Sequence, residues 1–495
     1  MNILNYKTLE EQGYTEYLLR NAPVRVLQFG EGNFLRAFVD YFVDVANEKA
    51  GFNGKVTLVQ PIPNGGLEDY FNKQEGLYTL YLRGYENGEA VNIKRVISAI
   101  DGYINPYTNF QALLDSAKNP DLRYIVSNTT EAGIVYDGSC AYGDKPTVSF
   151  PAKLTRFLHE RWKIFGSTKG KGLVVLSCEL IDNNGKELAA CVQKHLRDWE
   201  LEPEFMQWLN DECLFCSTLV DRIVTGYPRG EAEKLNNENG YIDNLLDTGE
   251  VFGLWVIEGP EWLESELPSS KAGLPVKVVK DHTPYKKQKV RILNGAHTSM
   301  VPAAYLCGQN IVRDCMYDED ISAFMKKAVW EEIIPVVPLP LNELEAFAAA
   351  VEERFKNPFI DHELLSIALN TTSKWRARVL PSLKEYTVQK GALPPCLAFS
   401  LAAYIAFYNC TRTENGKMFG VRDGVEYEIQ DDSFVIDFFT ANSGKDAAEL
   451  TKLTLSNIQM WGEDLTAIPC LEAQVAETLA AIRQNGMRAS MKQVI

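Results

Sequence analysis

Val24-Arg-Val-Leu-Gln-Phe29-Gly30-Glu31-Gly32-Asn33-Phe34-Leu35-Arg36 is the stretch on which the fold turns. Val24 to Phe29 is a short apolar run of strand type. Two glycines follow at once. Phe34, Ala37, Phe38, Tyr41, Phe42 and Val45 then recur at helical spacing. Strand, glycine turn and helix open a dinucleotide-binding unit. Gly30 allows the tight turn, and Gly32 lets a pyrophosphate approach the backbone. The helix start supplies N–H groups and a positive dipole end. The expected cofactor contacts are Phe29, Gly30, Gly32, Asn33, Phe34 and Arg36. Position 35 is Leu where the usual pattern has a third glycine, so a plain turn stays open as the alternative reading.

Further strands fit a parallel sheet. They are Lys55 to Gln60, Leu122 to Ser127, Gly172 to Ser177, Phe252 to Gly259 and Val276 to Lys280. The second lacks the usual acid for a ribose hydroxyl at its end. It runs Gln60-Pro61-Ile62-Pro63-Asn64-Gly65, so NAD and NADP are not separated here. Tyr78 to Arg83 and Ala90 to Ile97 flank Asn87-Gly88, a hairpin signal, and form an excursion from the nucleotide sheet. Ligands in open α/β sheets bind beyond the carboxyl ends of the strands. Asn128 and Thr129 are therefore expected at the cofactor, and Glu131 reads either as an acid at the substrate or as a loop carboxylate or cap.

From about residue 283 the texture changes to long helical patterns, at 320–332, 341–355, 361–371, 396–410, 445–461 and 470–484, and strand runs nearly vanish. The expected fold class is α/β. Residues 1–280 form a Rossmann-type dinucleotide-binding domain, and 281–495 form a mainly helical substrate and catalytic domain. That second domain opens on Lys289-Val-Arg-Ile-Leu-Asn294-Gly-Ala-His297, started by Thr283-Pro284 in the manner of an N-cap and first turn. On an α-helix, offsets of five and eight keep an amine, an amide and an imidazole within an arc of roughly 140°. Such a set suits proton transfer to or from an alcohol whose oxygen is held in place. Lys286, Lys287 and Arg291 would lower the lysine's proton affinity. Lys374-Trp375-Arg376-Ala377-Arg378 gathers cations, and reads either as a solvated helix end or as a cradle for a substrate carboxylate, with Lys374 and Arg378 the candidates.

Composition bounds the remainder. The chain has 495 residues, 46% hydrophobic and 23% charged, with formal net charge −16. That balance argues against nucleic acid and anionic membrane as partners. Ten cysteines lie scattered, and Cys213-x-x-Cys216 has no second pair beside it, so no metal is expected. The thiols read as reduced, and the first residues carry no signal-type apolar run, so the expected location is cytoplasmic. The apolar Leu393 to Tyr408 run is too short to span a membrane and reads as a buried helix.

Together the Gly-x-Gly-x-Phe-x-Arg opening, the Thr-Thr-Glu strand end at 129–131, Val220-Asp221-Arg222-Ile223 and the Lys-x4-Asn-x2-His segment resemble the polyol-specific long-chain dehydrogenases, the mannitol dehydrogenase family, over nearly the whole chain. The resemblance implies metal-free hydride exchange with NAD, with Lys289 as general acid/base and Asn294 and His297 around the reacting oxygen. Two details, Ser127-Asn-Thr-Thr-Glu-Ala-Gly-Ile134 and Cys178-Glu-Leu-Ile-Asp182, are similar to the branch acting on a hexuronate ketone. A small sugar acid such as tagaturonate is then the expected substrate. Fructuronate or fructose are alternatives within the family, and an NAD-binding sensor is an alternative of another class. Other branches have an asparagine where this chain has Leu180; Asn183 or Asn184 are the possible substitutes. Tyr285-x3-Lys289 also matches the pair of short-chain dehydrogenases, but far too late in the chain for that fold.

Overall fold

In the computed structural model, residues 1–495 are described except Asn87, Thr130, Glu131, Ala132 and Asn415. The chain divides into two units: residues 1–83 with 90–282, and 84–89 with 283–495.

The first unit is built on an eight-stranded sheet. In chain order its strands are β1 (Val24–Phe29), β2 (Lys55–Val59), β5 (Ile100–Ile104), β6 (Tyr124–Ser127), β7 (Val174–Ser177), β8 (Leu214–Asp221), β10 (Leu254–Glu258) and β11 (Val276–Val279). Their spatial order is β11-β10-β8-β7-β6-β1-β2-β5. The six strands from β5 to β8 are parallel, and β10 runs antiparallel to β8. Read from β5, the parallel part has the doubly wound order whose direction of winding reverses between β1 and β6, the crevice where such sheets bind ligands. Both faces are covered, so the central strands are buried: β6 and β7 show no exposed residue. One face packs Phe38, Phe42 and Trp255; the other packs Phe157, Trp208 and Leu188. Cys216 belongs to the first face and Cys213 to the second. Three residues apart in extended chain they point oppositely, so this C-x-x-C is no chelating pair.

The hairpin excursion is a separate sheet, β4-β3-β9, of β3 (Tyr78–Glu86), β4 (Glu89–Ile97) and β9 (Asp247–Glu250). The excursion expected from the sequence is there; its turn residue Asn87 lies outside the described residues.

The second unit is mainly helical. Gly295–Leu306 and Pro395–Phe407 are buried almost all round and pack on each other at its centre. This accounts for the apolar 393–408 run as a core helix. Two expectations are corrected. Helix 361–371 is only one turn, Leu364–Ile367, because Asn370 takes a left-handed conformation (φ 53°) and starts a new helix at Thr371. Strands also return, as a meander of β12 (Arg412–Glu414), β13 (Lys417–Arg422) and β14 (Val425–Ile429). Its alternation of burial was masked by charged residues on the exposed positions. No described helix is long and apolar enough to cross a membrane.

Candidate active site

The nucleotide crevice of the first unit is shaped by its first turn. Gly30 has φ +134°, a conformation open to glycine. A Cβ there would stand 3.0 Å from Leu35 Cδ1 and 3.1 Å from the Asn128 carbonyl oxygen. Leu35 thus fills the place of the missing third glycine's contact and locks the turn against the end of β6. Gly32 differs: its backbone is ordinary (φ −70°), and a Cβ would meet nothing within 4 Å. The space above it is open, as a pyrophosphate requires. The helix starting there runs Asn33–Leu35, passes through a π turn at Arg36–Asp40, and continues as Tyr41–Ala50.

The expected cofactor residues divide. Gly32 and Asn33 are exposed at the helix start, and Phe34 is half-buried and stacked on Phe38. Asn128 and Thr129 stand half-exposed at the end of β6. Phe29 and Arg36 lie buried. The Phe29 ring is fully buried against Phe150, leaving only its backbone at the turn. Arg36 is 2% exposed and turned inward, donating to the Leu245 carbonyl at 2.5 Å and to the Asn33 side chain, 4.0 Å from Asp247. From there it shapes the start of the helix.

Beyond the ends of β2 and β6 lies a cavity of about 560 Å³ lined by Pro61, Ile62, Thr129, Val135, Val148 and Phe150 among others. Ile62, Val135 and Val148 are more than half exposed there. Such apolar faces suit a flat heterocycle. Gln60 carries no charge into this region, and its amide is taken up by the Ile62 and Pro63 carbonyls.

Sequence reading missed Glu179, just past β7. It is 3% exposed and accepts from Ser127 Oγ, Thr129 N–H and Thr129 Oγ at 3.1–3.2 Å. Burial raises its pKa. This carboxyl pins Thr129 in place. Its only signal was an acid directly after a strand. Leu180 is 66% exposed. Asn184 is no substitute for the absent asparagine, because its amide and oxygen are both spent on backbone groups of Glu179, Thr218 and Gly185. Asn183 is exposed in a left-handed conformation at the helix start. Glu131 lies outside the described residues.

Glu258, Asp281 and His282 bring ligand atoms within 4.8 Å of one another. The Lys186 ammonium sits 2.8 Å from one Glu258 oxygen and His282 Nδ1 2.6 Å from the other, so protein groups already hold that carboxylate.

In the second unit the helix Thr283–Gln288 passes through a π turn, Lys289–Asn294, into Gly295–Leu306. The expected plain α-helix is thereby corrected. A π turn bonds residues five apart, so Lys289 and Asn294 stand above one another on one face. Lys289 and Asn294 are half-buried and His297 is 8% exposed. Gln288 anchors the turn on the Glu343 carbonyl. Arg291 forks onto Glu385 with two hydrogen bonds of 3.0 and 3.1 Å, so its charge is balanced by a carboxylate.

His297 stacks on Phe355 (4.1 Å between centroids, 14°), and its Nε2 has no hydrogen-bond partner among the described residues. Burial, then His362, Arg354, Arg378 and Lys374, push its pKa well down, so it is neutral at pH 7. The helix Thr371–Arg378 brings Lys374 and Arg378, one turn apart, to this histidine. Trp375 anchors the helix in the core on Ser400 Oγ at 3.1 Å, and Arg376 lies over Gly462. Lys374 and Arg378 are thus half-buried rather than a solvated end. Their pKa values are lowered, both chiefly by burial. Arg354 and His362 complete this basic group and had no sequence signal, since they lie on other elements.

Comparison with known proteins agrees with this architecture. Residues 24–271 match the mannitol dehydrogenase Rossmann domain and 281–483 the mannitol dehydrogenase C-terminal domain. The chain is 47% identical over 479 residues to an altronate oxidoreductase of Yersinia enterocolitica, covering 95% of this chain and 97% of that protein. It is 48% identical over 473 residues to one of Cronobacter sakazakii, covering 94% and 96%. Among solved structures, a D-sorbitol dehydrogenase has TM-score 0.80 at 21% identity, over 99% of this chain and 100% of that one. Pseudomonas fluorescens mannitol 2-dehydrogenase, solved with NAD and D-mannitol, has TM-score 0.67 at 22% identity over 99% of each chain. With both of its domains matched in order, the chain belongs to the mannitol dehydrogenase family.

Proposed function

We propose that this protein interconverts D-altronate and D-tagaturonate with NAD(H), the reaction being D-altronate + NAD⁺ = D-tagaturonate + NADH + H⁺, a step of hexuronate breakdown. The observation that carries it is the second unit's pairing of two things: a Lys289–Asn294 face on a π turn, and the basic group of His297, Lys374 and Arg378 beside it. A polyol needs the first; only a sugar acid needs the second. The high identity to altronate oxidoreductases points the same way.

In this reading the dinucleotide, bound at the first turn and the cavity beyond β2 and β6, supplies or accepts the hydride. Lys289 delivers a proton to the carbonyl oxygen during reduction and takes it from the hydroxyl during oxidation, a role worth about 10²–10⁴ in rate. Asn294 donates a hydrogen bond to that oxygen as negative charge gathers on it. Neutral His297 orients a substrate hydroxyl through the Nε2 that the described residues leave unpaired. Lys374 and Arg378 hold the carboxylate. The free thiols suit a reducing, cytoplasmic setting.

The test is to follow NADH absorbance with D-tagaturonate, D-fructuronate and D-fructose in parallel, and again with NADPH. Preference for tagaturonate and NADH is expected. Preference for fructose would leave Lys289 chemistry intact and refute the carboxylate site.

A further inference from the structure

The basic group around His297 is larger than the substrate reading needs from Lys374 and Arg378 alone. His362 stands edge-on to the His297 ring, 5.3 Å between centroids at 86°. It is half-buried. Lys374 donates to the Ile367 carbonyl at 2.9 Å, and Arg378 Nη1 lies 3.4 Å from Thr298 Oγ. Neither bond carries a countercharge.

Among the described residues, Asp361 and Asp431 near this group are engaged elsewhere. Asp361, next to His362 in sequence, is 2.6 Å from Arg313. Asp431 raises the pKa of Lys374 somewhat, but its Oδ2 already accepts from Thr372 N–H, Thr372 Oγ and the Tyr408 hydroxyl. Burial, and then Lys374, push the pKa of His362 down; burial, and then His362, do the same to His297. Three elements therefore direct basic side chains at one another: His297 from one helix, Lys374 and Arg378 from a second, and His362 from the segment before Leu364. Crowding of like charge in a chain of net charge −16 is a cost that an arriving anion relieves.

We propose that His362 is a further binding residue for the substrate carboxylate, joining Lys374 and Arg378 as a charged donor once the anion is present. The inference rests on the uronate reading above. It assigns the acid specificity to three groups rather than two.

The experiment compares wild type, His362→Gln and His362→Lys in steady-state reduction of D-tagaturonate by NADH at pH 7, with thermal melts on each. Gln is expected to raise KM about tenfold or more, as loss of a charge-assisted hydrogen bond does, and to leave kcat within about threefold. Lys, which keeps the charge, is expected to stay within about threefold of wild-type KM. Unchanged KM in the Gln variant overturns the proposal. So does an equal rise in both variants, which marks a packing role for the imidazole. A wild-type protein silent toward tagaturonate is a different result: it refutes the uronate reading, and this inference with it.

Discussion

Adding one methyl group at Gly30 and, separately, at Gly32 separates folding from cofactor binding. At Gly30 the methyl must enter at φ +134°, 3.0 Å from Leu35 Cδ1 and 3.1 Å from a backbone oxygen. Left-handed strain costs about 1–2 kcal/mol. Overpacking against a side chain that is itself 1% exposed costs about 1–3 kcal/mol more. Gly30→Ala should therefore lose roughly 3 kcal/mol of stability. At Gly32 the methyl meets nothing and the backbone is already extended. The entropy gain of replacing glycine, about 0.4–1 kcal/mol, is offset by the poorer capping of alanine. Gly32→Ala should stay within about 0.5 kcal/mol of wild type. The same methyl stands where a pyrophosphate would approach, so NADH binding should weaken at least tenfold, about 1.4 kcal/mol. Urea unfolding followed by tryptophan fluorescence gives the first quantity, and NADH titration gives the second. Wild-type NADH affinity in Gly32→Ala would refute the assignment of this turn to the cofactor. Wild-type stability in Gly30→Ala would refute the steric argument.

Lys289→Ala should lower kcat by about 10²–10⁴ while NADH affinity stays within twofold, about 0.4 kcal/mol; a single-turnover assay with a parallel titration reads both. Asn294→Ala should cost roughly 10²–10³ in kcat, with a smaller effect on KM, checked by steady-state kinetics. Beneath the glycine turn, burial pushes Asp40 up to about 8 and Asp247 up to about 7. Both folded values lie above the unfolded carboxylate range. Their contribution to stability is thus full below about pH 4 and is lost as pH rises through 7 and 8. Asp40→Asn should flatten that fall and stabilise the protein at pH 9 by on the order of 3 kcal/mol, and urea midpoints from pH 5 to 9 measure the difference. Glu179→Ala strands three donors at the end of β6 and should cost about 3 kcal/mol, read by the same unfolding assay.

Local sequence determined whatever depends on period and spacing. The apolar run at 24–29, the glycines at 30 and 32 and the helical repeat after them specify a strand, a turn and a helix, because each is set by neighbours within a few residues. The Lys289–Asn294–His297 spacing likewise put the proton-transfer candidates on one segment. The short helix at 364–367 was overread, since the left-handed turn at Asn370 is a single-residue event inside an otherwise helical composition. Only tertiary structure decided which charges face one another. Arg291 and Arg378 look alike in sequence, yet one is balanced by Glu385 and the other is turned to Thr298 beside His297. Arg36 reads as a cofactor residue from its spacing, while its place within the fold, holding the helix start from inside, is decided by burial. His362 carries no motif at all, and its place beside His297 comes from chain segments 65 residues apart folding together. Electrostatic character at a site is a sum over partners distant in sequence, and no local pattern records that sum.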